Sequence, residues 1–352
     1  MEFILNIAEF LLQAVILLGI FLVAVAGVMA ITQRKRNAGE EGSVEARSLN
    51  ERFDAQQEAI RSIADDPVVM KAREKSQKKD KKQKQKAAKQ ALKKQPEDQQ
   101  TRPRLFVLDF DGDMQASQVD QLREEISAIL PVAGEEDAVL LRLESGGGVV
   151  HGYGLAASQL VRLKDAGIKL TVSVDKVAAS GGYMMACVAD QIIAAPFAIL
   201  GSIGVVAQLP NFHKLLKKND IDFEQHTAGE YKRTLTFFGE NTDKAREKFQ
   251  ADIDDIHLLF KEFVATNRPM LSIDEVSTGE YWFGQRALEK NLADRLCTSD
   301  SFLLEHLEDS DLIEVRFRAK RNWQERLGMA AETAVEKGFR RLLKTEQDQR
   351  YL

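Results

Sequence analysis

Three glycine-rich stretches hold the residues best suited to chemistry: Ser145-Gly146-Gly147-Gly148, Ala179-Ser180-Gly181-Gly182-Tyr183 and Gly201-Ser202-Ile203-Gly204. Each adjoins an apolar run. Consecutive glycines after a strand permit positive φ and close backbone approach, so their N–H groups can converge on an anion or on an oxyanion formed during reaction. No lysine follows in Walker spacing, and Gly146-Gly147-Gly148 lacks the G-x-G-x-x-G form, which disfavours a nucleotide site. Ser180 opens an apolar helical run through Met184, Met185 and Cys187. A helix N-terminus offers unpaired N–H groups and partial positive charge to an alkoxide or tetrahedral oxyanion, although a serine there also serves as a simple cap. A nucleophilic serine needs a base. The histidines, His151, His213, His226, His257 and His306, form no recognisable triad motif. A neutral lysine can substitute, and lowering its pKa from about 10.4 by about three units costs about 4 kcal/mol. Lys232, in Gly229-Glu230-Tyr231-Lys232-Arg233, has Tyr231, Phe237 and Phe238 nearby to dehydrate it and Arg233 to repel its proton.

Such groups need a framework, and the chain from about residue 101 supplies one. Apolar runs at 105–110, 138–143, 168–174 and 191–195 read as strands. Helical periodicity at 117–130, 153–164 and 181–189 alternates with them, and a longer helix is predicted over 243–267. Strands alternating with helices of this length indicate parallel units with helical crossovers, an α/β fold. A small β/α region then runs to about residue 318. The stretch 192–209 is apolar enough to resemble a membrane span, but Pro196, Gly201, Ser202 and Gly204 interrupt it, so it reads as buried core.

The 352-residue chain is 44% hydrophobic and 29% charged, ordinary globular usage that excludes collagen-like, wholly disordered and polytopic membrane classes. Two cysteines, Cys187 and Cys297, exclude a disulfide framework and a four-cysteine zinc site. The net charge of −5 hides an asymmetric front. Residues 10–31 carry no formal charge, and a helix of about 20 such residues crosses a bilayer, so residues 1–36 are expected to form a membrane anchor. The leader lacks the positive region of a cleaved signal peptide. Arg34-Lys35-Arg36 after the span favours a cytoplasmic C-terminal side, although long domains translocate despite such charge. Residues 71–94 then hold twelve Lys or Arg against Glu74 and Asp80, part of an expected charged linker over 37–100. Without interleaved aromatics this run does not suit nucleic acid, though it suits anionic lipid. Residues 323–343 read as an amphipathic helix within a C-terminal segment, 319–352, that could meet membrane, a neighbouring subunit or its own domain.

Taken together, the glycine motifs, Gly229-Glu230-Tyr231-Lys232, Trp282-Phe283-Gly284-Gln285-Arg286-Ala287 and Leu292-Ala293-Asp294 resemble the signal peptide peptidase family of serine–lysine proteases over nearly the whole chain. The resemblance implies, over residues 101–318, the ClpP/crotonase-type fold of repeated β-β-α units. It implies Ser180 as nucleophile, Lys232 as general base, Ser202 as the hydroxyl orienting the lysine, and the backbone N–H groups of Gly147 and Gly181 as the oxyanion hole. Relatives often carry proline where Gly146 stands. The resemblance further implies peptide or protein substrates of signal-peptide-like, membrane-derived or unfolded character, no cofactor or metal, a homo-oligomer, and a bacterial inner-membrane location with the side of the catalytic domain open. Two other readings stand beside it. One is a crotonase-like acyl-CoA enzyme, which uses the same kind of backbone hole, and the other is a non-catalytic membrane scaffold that keeps the fold.

Overall fold

The computed structural model describes residues 42–66 and 102–319, with Lys75, Ser76, Lys79, Lys82 and Lys86 between them. The anchor expected at 10–31, most of the lysine-rich run and the helix expected at 323–343 lie outside the described residues. Among the described residues, no helix is long and apolar enough to cross a membrane.

The first described elements fall inside the stretch read as a linker. Strand β1 (Gly42–Ser48) leads into helix α1 (Leu49–Ala64), and the Ser48 side chain caps it by accepting the Glu51 N–H. Two residues explain why so polar a segment packs. Leu49 is buried with Leu105, Val107, Leu140, Leu303 and Leu312. The Asn50 carboxamide donates to the carbonyl oxygens of Leu307 and Ser310, both at 3.1 Å, and accepts the Leu312 N–H at 2.7 Å. The linker expected over 37–100 is therefore corrected at its start: these anchors fasten a strand and a helix to the folded body.

The chain continues through β2 (Arg104–Gly112), α2 (Val119–Ile129), β3 (Ala138–Ser145), α3 (Val150–Asp165) and β4 (Lys169–Val174). Next come β5 (Val177–Ala179), α4 (Gly181–Ala186), β6 (Gln191–Ala194), β7 (Ile199–Gly201), α5 (His213–Lys218) and α6 (Asp243–Asn267). The last are α7 (Ile273–Val276), β8 (Tyr281–Phe283), α8 (Gly284–Glu289), β9 (Arg295–Leu296), α9 (Ser299–Glu305) and β10 (Asp311–Ala319). The strand order is β1-β10-β2-β3-β4-β6-β9, with β5, β7 and β8 forming a side branch from β3. The pairs β10–β2, β2–β3, β3–β4, β4–β6 and β6–β9 are parallel. Parallel strands covered on both faces need apolar residues in succession, and Val139, Leu140 and Leu141 are each fully buried. One face is covered by α2 through Leu122, Ile126 and Ile129 and by α3 through Ala156, Leu160 and Leu163; the other holds the cluster around Leu105 and Leu140. The mixed α/β architecture expected from the sequence is the one found. Within 192–209, Ile192, Ile193, Ala194, Ala198, Leu200 and Ile203 are core, whereas Phe197 is 84% and Val206 80% exposed.

Residues 44–316 make up one compact unit. A second groups residues 1–43 with 317–352, and of it only Gly42, Ser43, Phe317, Arg318 and Ala319 are described.

Candidate active site

The side branch brings all three glycine stretches to one place. Strand β3 pairs with β4 as far as Arg142↔Ser173, and its last residue then pairs with β5, Ser145↔Ala178. Strand β5 pairs in parallel with β7, ending at Ala179↔Gly201. Ser180 and Ser202 are therefore the next residues on two neighbouring strands. The Ser180 N–H donates to the Gly201 carbonyl at 2.8 Å, and the Ser202 N–H donates to the Glu280 carbonyl at 2.6 Å.

Both serines leave their strands with left-handed backbone, φ 52° at Ser180 and φ 51° at Ser202. Such a conformation costs a non-glycine residue about 1–3 kcal/mol and persists only where the surroundings enforce it. With ψ −119°, Ser180 takes the geometry that glycine normally supplies at the first central position of a type II′ turn. Its carbonyl accepts the Met184 N–H at 3.0 Å, which starts α4 at once. Simple capping does not account for it: Ser48, Thr242 and Thr298 each use the hydroxyl to accept the N–H three residues on, whereas Ser180 makes no such bond. The Ser180 hydroxyl thus stands at the head of a helix with its oxygen unspent. Cys187, two turns further, is buried, and burial pushes its thiol up to about 12, which keeps it protonated and unreactive.

Gly147, with φ 87°, packs directly on the serine turn; a Cβ on it would stand 2.7 Å from both the Gly181 nitrogen and Ser180 Cβ. A Cβ on Gly146 would meet nothing within 4 Å. The two amides expected at an oxyanion hole differ in state. Among the described residues the Gly181 N–H has no acceptor, whereas the Gly147 N–H donates to Ser145 Oγ at 3.0 Å. Ser180 and Gly181 open on a cleft walled by Val150, Met184, Val206, Ile256 and Phe260. No group of three or more His, Cys, Asp or Glu among the described residues is placed to hold a metal ion.

Lys232 is not brought into that cleft. It lies in an irregular stretch, it is exposed, and its amine forms neither hydrogen bond nor ion pair among the described residues. The aromatics expected to dehydrate it pack on one another: Phe238 meets Phe212, Phe223 and Phe237 at ring-centroid distances of 6.0, 5.8 and 6.3 Å. Tyr231 takes Lys248 over its ring at 5.7 Å, and Glu230 pairs with Lys244 at 2.5 Å. Of the five residues expected at the site, the fold gathers Gly147, Ser180, Gly181 and Ser202 and leaves Lys232 outside.

The family model Peptidase family S49 N-terminal matches residues 2–160, and Peptidase family S49 matches residues 162–312. A probable protease SohB of Haemophilus influenzae is 50% identical over 327 residues, 93% of this chain and 92% of that protein. This chain belongs to peptidase family S49. A putative protease SohB of Buchnera aphidicola subsp. Baizongia pistaciae is 46% identical over 321 residues, 90% of this chain and 91% of that one. Among solved structures, a membrane-bound stomatin-specific protease in complex with a substrate peptide has a TM-score of 0.41 at 12% identity, covering 64% of this chain and 96% of the other. Membership of S49 places this α/β chain in a peptidase family, as the motifs implied. The first family segment includes Gly147; the second includes Ser180, Gly181, Ser202 and Lys232.

Two residues at the centre of the site had no individual role legible in the sequence. Ser145 and Tyr153 are both buried behind the glycine turns, and burial raises the Tyr153 phenol. A tyrosine on the inner face of an apolar helix carries no signal beyond core packing.

Proposed function

We propose that this chain is a membrane-anchored endopeptidase in which Ser180 is the nucleophile and Lys232 its general base. The observation that carries the reading is the uncapped Ser180, held in a strained turn at the head of α4 beside the unpartnered Gly181 N–H and facing an apolar cleft. Ser180 Oγ attacks a peptide carbonyl while the lysine amine takes its proton. The resulting ammonium then protonates the departing amine, and the acyl-serine is hydrolysed by water activated by the same lysine. The oxyanion receives the Gly181 N–H. The Gly147 N–H, held in place by the Ser145 hydroxyl, is shared with the oxyanion as a second donor, the charged acceptor drawing the stronger share. Ser202, beside Ser180 on the adjoining strand, orients the amine. The apolar walls suit extended hydrophobic polypeptides of the signal-peptide-like, membrane-derived or unfolded kind. Residues 10–31 tether the peptidase to lipid in a bacterial inner membrane, and no cofactor takes part.

The dyad forms only when residues 207–242, the segment that carries Lys232, dock on a cleft. None of these residues is buried within the chain, so docking on the same chain or on a second copy in a homo-oligomer is open to them. Docking also removes the lysine from water, as a base near neutral pH requires. The exposure of Lys232 is equally what a non-catalytic scaffold would display, and one experiment separates the two. Full-length protein in detergent is assayed on a fluorogenic apolar peptide as wild type, Ser180→Ala, Lys232→Ala and an equimolar mixture of the two variants. Wild-type cleavage that rises with pH through an apparent pKa below about 10.4, and is lost in both variants, supports the dyad. Recovery in the mixture assigns the lysine to a second copy. Undiminished cleavage by Ser180→Ala overturns the mechanism, and an inactive wild type favours the scaffold.

A further inference from the structure

Tyr153 is fully buried on α3, behind both glycine turns that flank Ser180. Its hydroxyl donates to the Asp113 carbonyl at 2.8 Å and meets Ser145 Oγ at 2.5 Å, while Ser145 Oγ accepts the Gly147 N–H at 3.0 Å. Each hydroxyl has one proton to give. Tyr153 directs its proton to Asp113 at 2.8 Å, so Ser145, whose other acceptor is the Gly112 carbonyl at a longer 3.4 Å, directs its own to the phenol oxygen and keeps its lone pairs for Gly147. The result is a buried chain that runs in one sense, from the Gly147 N–H through Ser145 and Tyr153 to the Asp113 carbonyl, in which each bond polarises the next. Its far end is fixed as well. The Asp113 carboxylate accepts the N–H groups of Gln115 and Ser117 at 3.1 and 2.8 Å and the Ser117 hydroxyl at 2.8 Å, and the Val149 N–H donates to the Met114 carbonyl at 2.9 Å.

The same side chain bounds the second turn. A Cβ on Gly181 would stand 2.4 Å from Tyr153 Cγ, so the ring is packed against the first residue of α4. Phe110 supports that ring edge-on, at 6.4 Å between centroids. One residue thus holds Gly147 through its hydroxyl and Gly181 through its ring, and between them lies Ser180.

The geometry points to Tyr153 and Ser145 as positioning residues for peptide hydrolysis, fixing the spacing of the two backbone turns around the carbonyl that Ser180 attacks. The inference rests on Ser180 being the nucleophile. It separates into two parts because phenylalanine keeps the ring against Gly181 and Phe110 and removes only the hydroxyl. A deleted oxyanion donor costs about 10²–10³ in kcat, and a donor merely left unclamped costs less, about tenfold.

The test uses full-length protein in detergent as wild type, Tyr153→Phe, Ser145→Ala, the double variant and Ser180→Ala. Three quantities are measured: kcat and KM on an apolar peptide, the rate of covalent labelling by a fluorophosphonate, and the thermal midpoint. The expected result is a roughly tenfold fall in kcat and in labelling rate for each single variant, with KM within about twofold. The double variant falls no further than either single one, because both interrupt one chain. Should Tyr153→Phe not fold, Ser145→Ala reads the same chain from its other end. Unchanged kcat in both single variants, or losses that add in the double variant, overturn the inference while an inert Ser180→Ala leaves the nucleophile in place. An active Ser180→Ala removes the nucleophile and the inference together.

Discussion

Between β3 and Ile203, Val139, Leu141, Val172, Val174, Ala178 and Leu200 have no exposed surface; across residues 205–242 no side chain is buried. Ser180 belongs to the first region and Lys232 to the second. Strand register places the serine and the backbone amides around it, and register in a parallel sheet buried on both faces has no room to slip. The lysine depends on a long side chain carried by a stretch whose own aromatics are about half exposed. In the proposed dyad, half of the site is thus built into the sheet, and the other half has to be delivered to it.

The sharpest way to break this contrast is to add one methyl group to neighbouring glycines. Gly147→Ala combines φ 87° with a Cβ 2.7 Å from the Gly181 nitrogen, so the turn on Ser180 must shift. We expect a loss of about 10²–10³ in kcat/KM together with about 1–3 kcal/mol of stability. Gly146→Ala, whose Cβ meets nothing, should leave both nearly unchanged. Equal effects at the two positions, in kinetics and thermal unfolding, would deny that the first region is tightly specified.

A second contrast sets a buried ion pair against an exposed one. Arg268 is 1% exposed and clasps Asp294 with two bonds, at 2.9 and 2.8 Å, while also donating to the Asn291 carbonyl at 2.8 Å. Arg268→Ala removes a buried guanidinium and leaves the partly exposed Asp294 carboxylate with the Ile192 N–H at 2.6 Å, and it is expected to cost about 1–3 kcal/mol in denaturant unfolding. Lys244→Ala, which breaks the exposed pair with Glu230, should leave the unfolding midpoint where it was. A large effect of Lys244→Ala would show that the lysine-bearing segment is fastened down after all.

Asp137 offers a pH test confined to the rigid region. Burial acts to raise its carboxyl, but hydrogen bonds from the Arg104 side chain, the Gly134 N–H and the Arg104 N–H outweigh it and hold the group below the usual carboxylate range. A folded-state pKa below the unfolded value, about 3.9, stabilises above that pH, and the stabilisation is lost as pH falls through the folded value. Asp137→Asn should therefore cost about 2 kcal/mol near neutral pH. The gap from wild type should narrow as the pH drops below about 4. A pH-independent gap would leave the carboxylate's charge without a role.

The sequence was legible where local pattern and burial agree. The apolar runs of β2, β3, β4 and β6 and the full span of α6 could be read from it, as could the serine at the head of an apolar helix. Strands β5 and β7 have only three residues each, too few for a periodic signal, yet their pairing at Ala179↔Gly201 is what sets Ser180 beside Ser202. Pairing between strands is a property of the fold that no local window contains. Asn50 failed to register for a similar reason: its bonds reach Leu307, Ser310 and Leu312, more than 250 positions away. Lys232 was legible as a motif and illegible as a position, because neighbours in sequence say which groups travel with it and not where the segment lands.

That distinction leads to the smallest expected effect on stability and a diagnostic one on activity. Phe238 touches Phe212, Phe223 and Phe237 but is 45% exposed, so Phe238→Ala removes little buried surface and should move the thermal midpoint by no more than about 2 °C. If the cluster covers Lys232 when the segment docks, truncating it lets water back to the amine and raises the pKa of the lysine in the assembled dyad. Because the neutral amine is the base, the rising limb of kcat/KM then moves to higher pH, and moving it by about one pH unit lowers activity near pH 7 about tenfold. The pH–rate profile of Phe238→Ala against wild type measures this directly. A displaced limb with an unchanged midpoint would mark the exposed aromatics as part of the catalytic environment. A midpoint that falls while the limb stays put would return them to packing and leave the lysine to be dehydrated by the cleft itself.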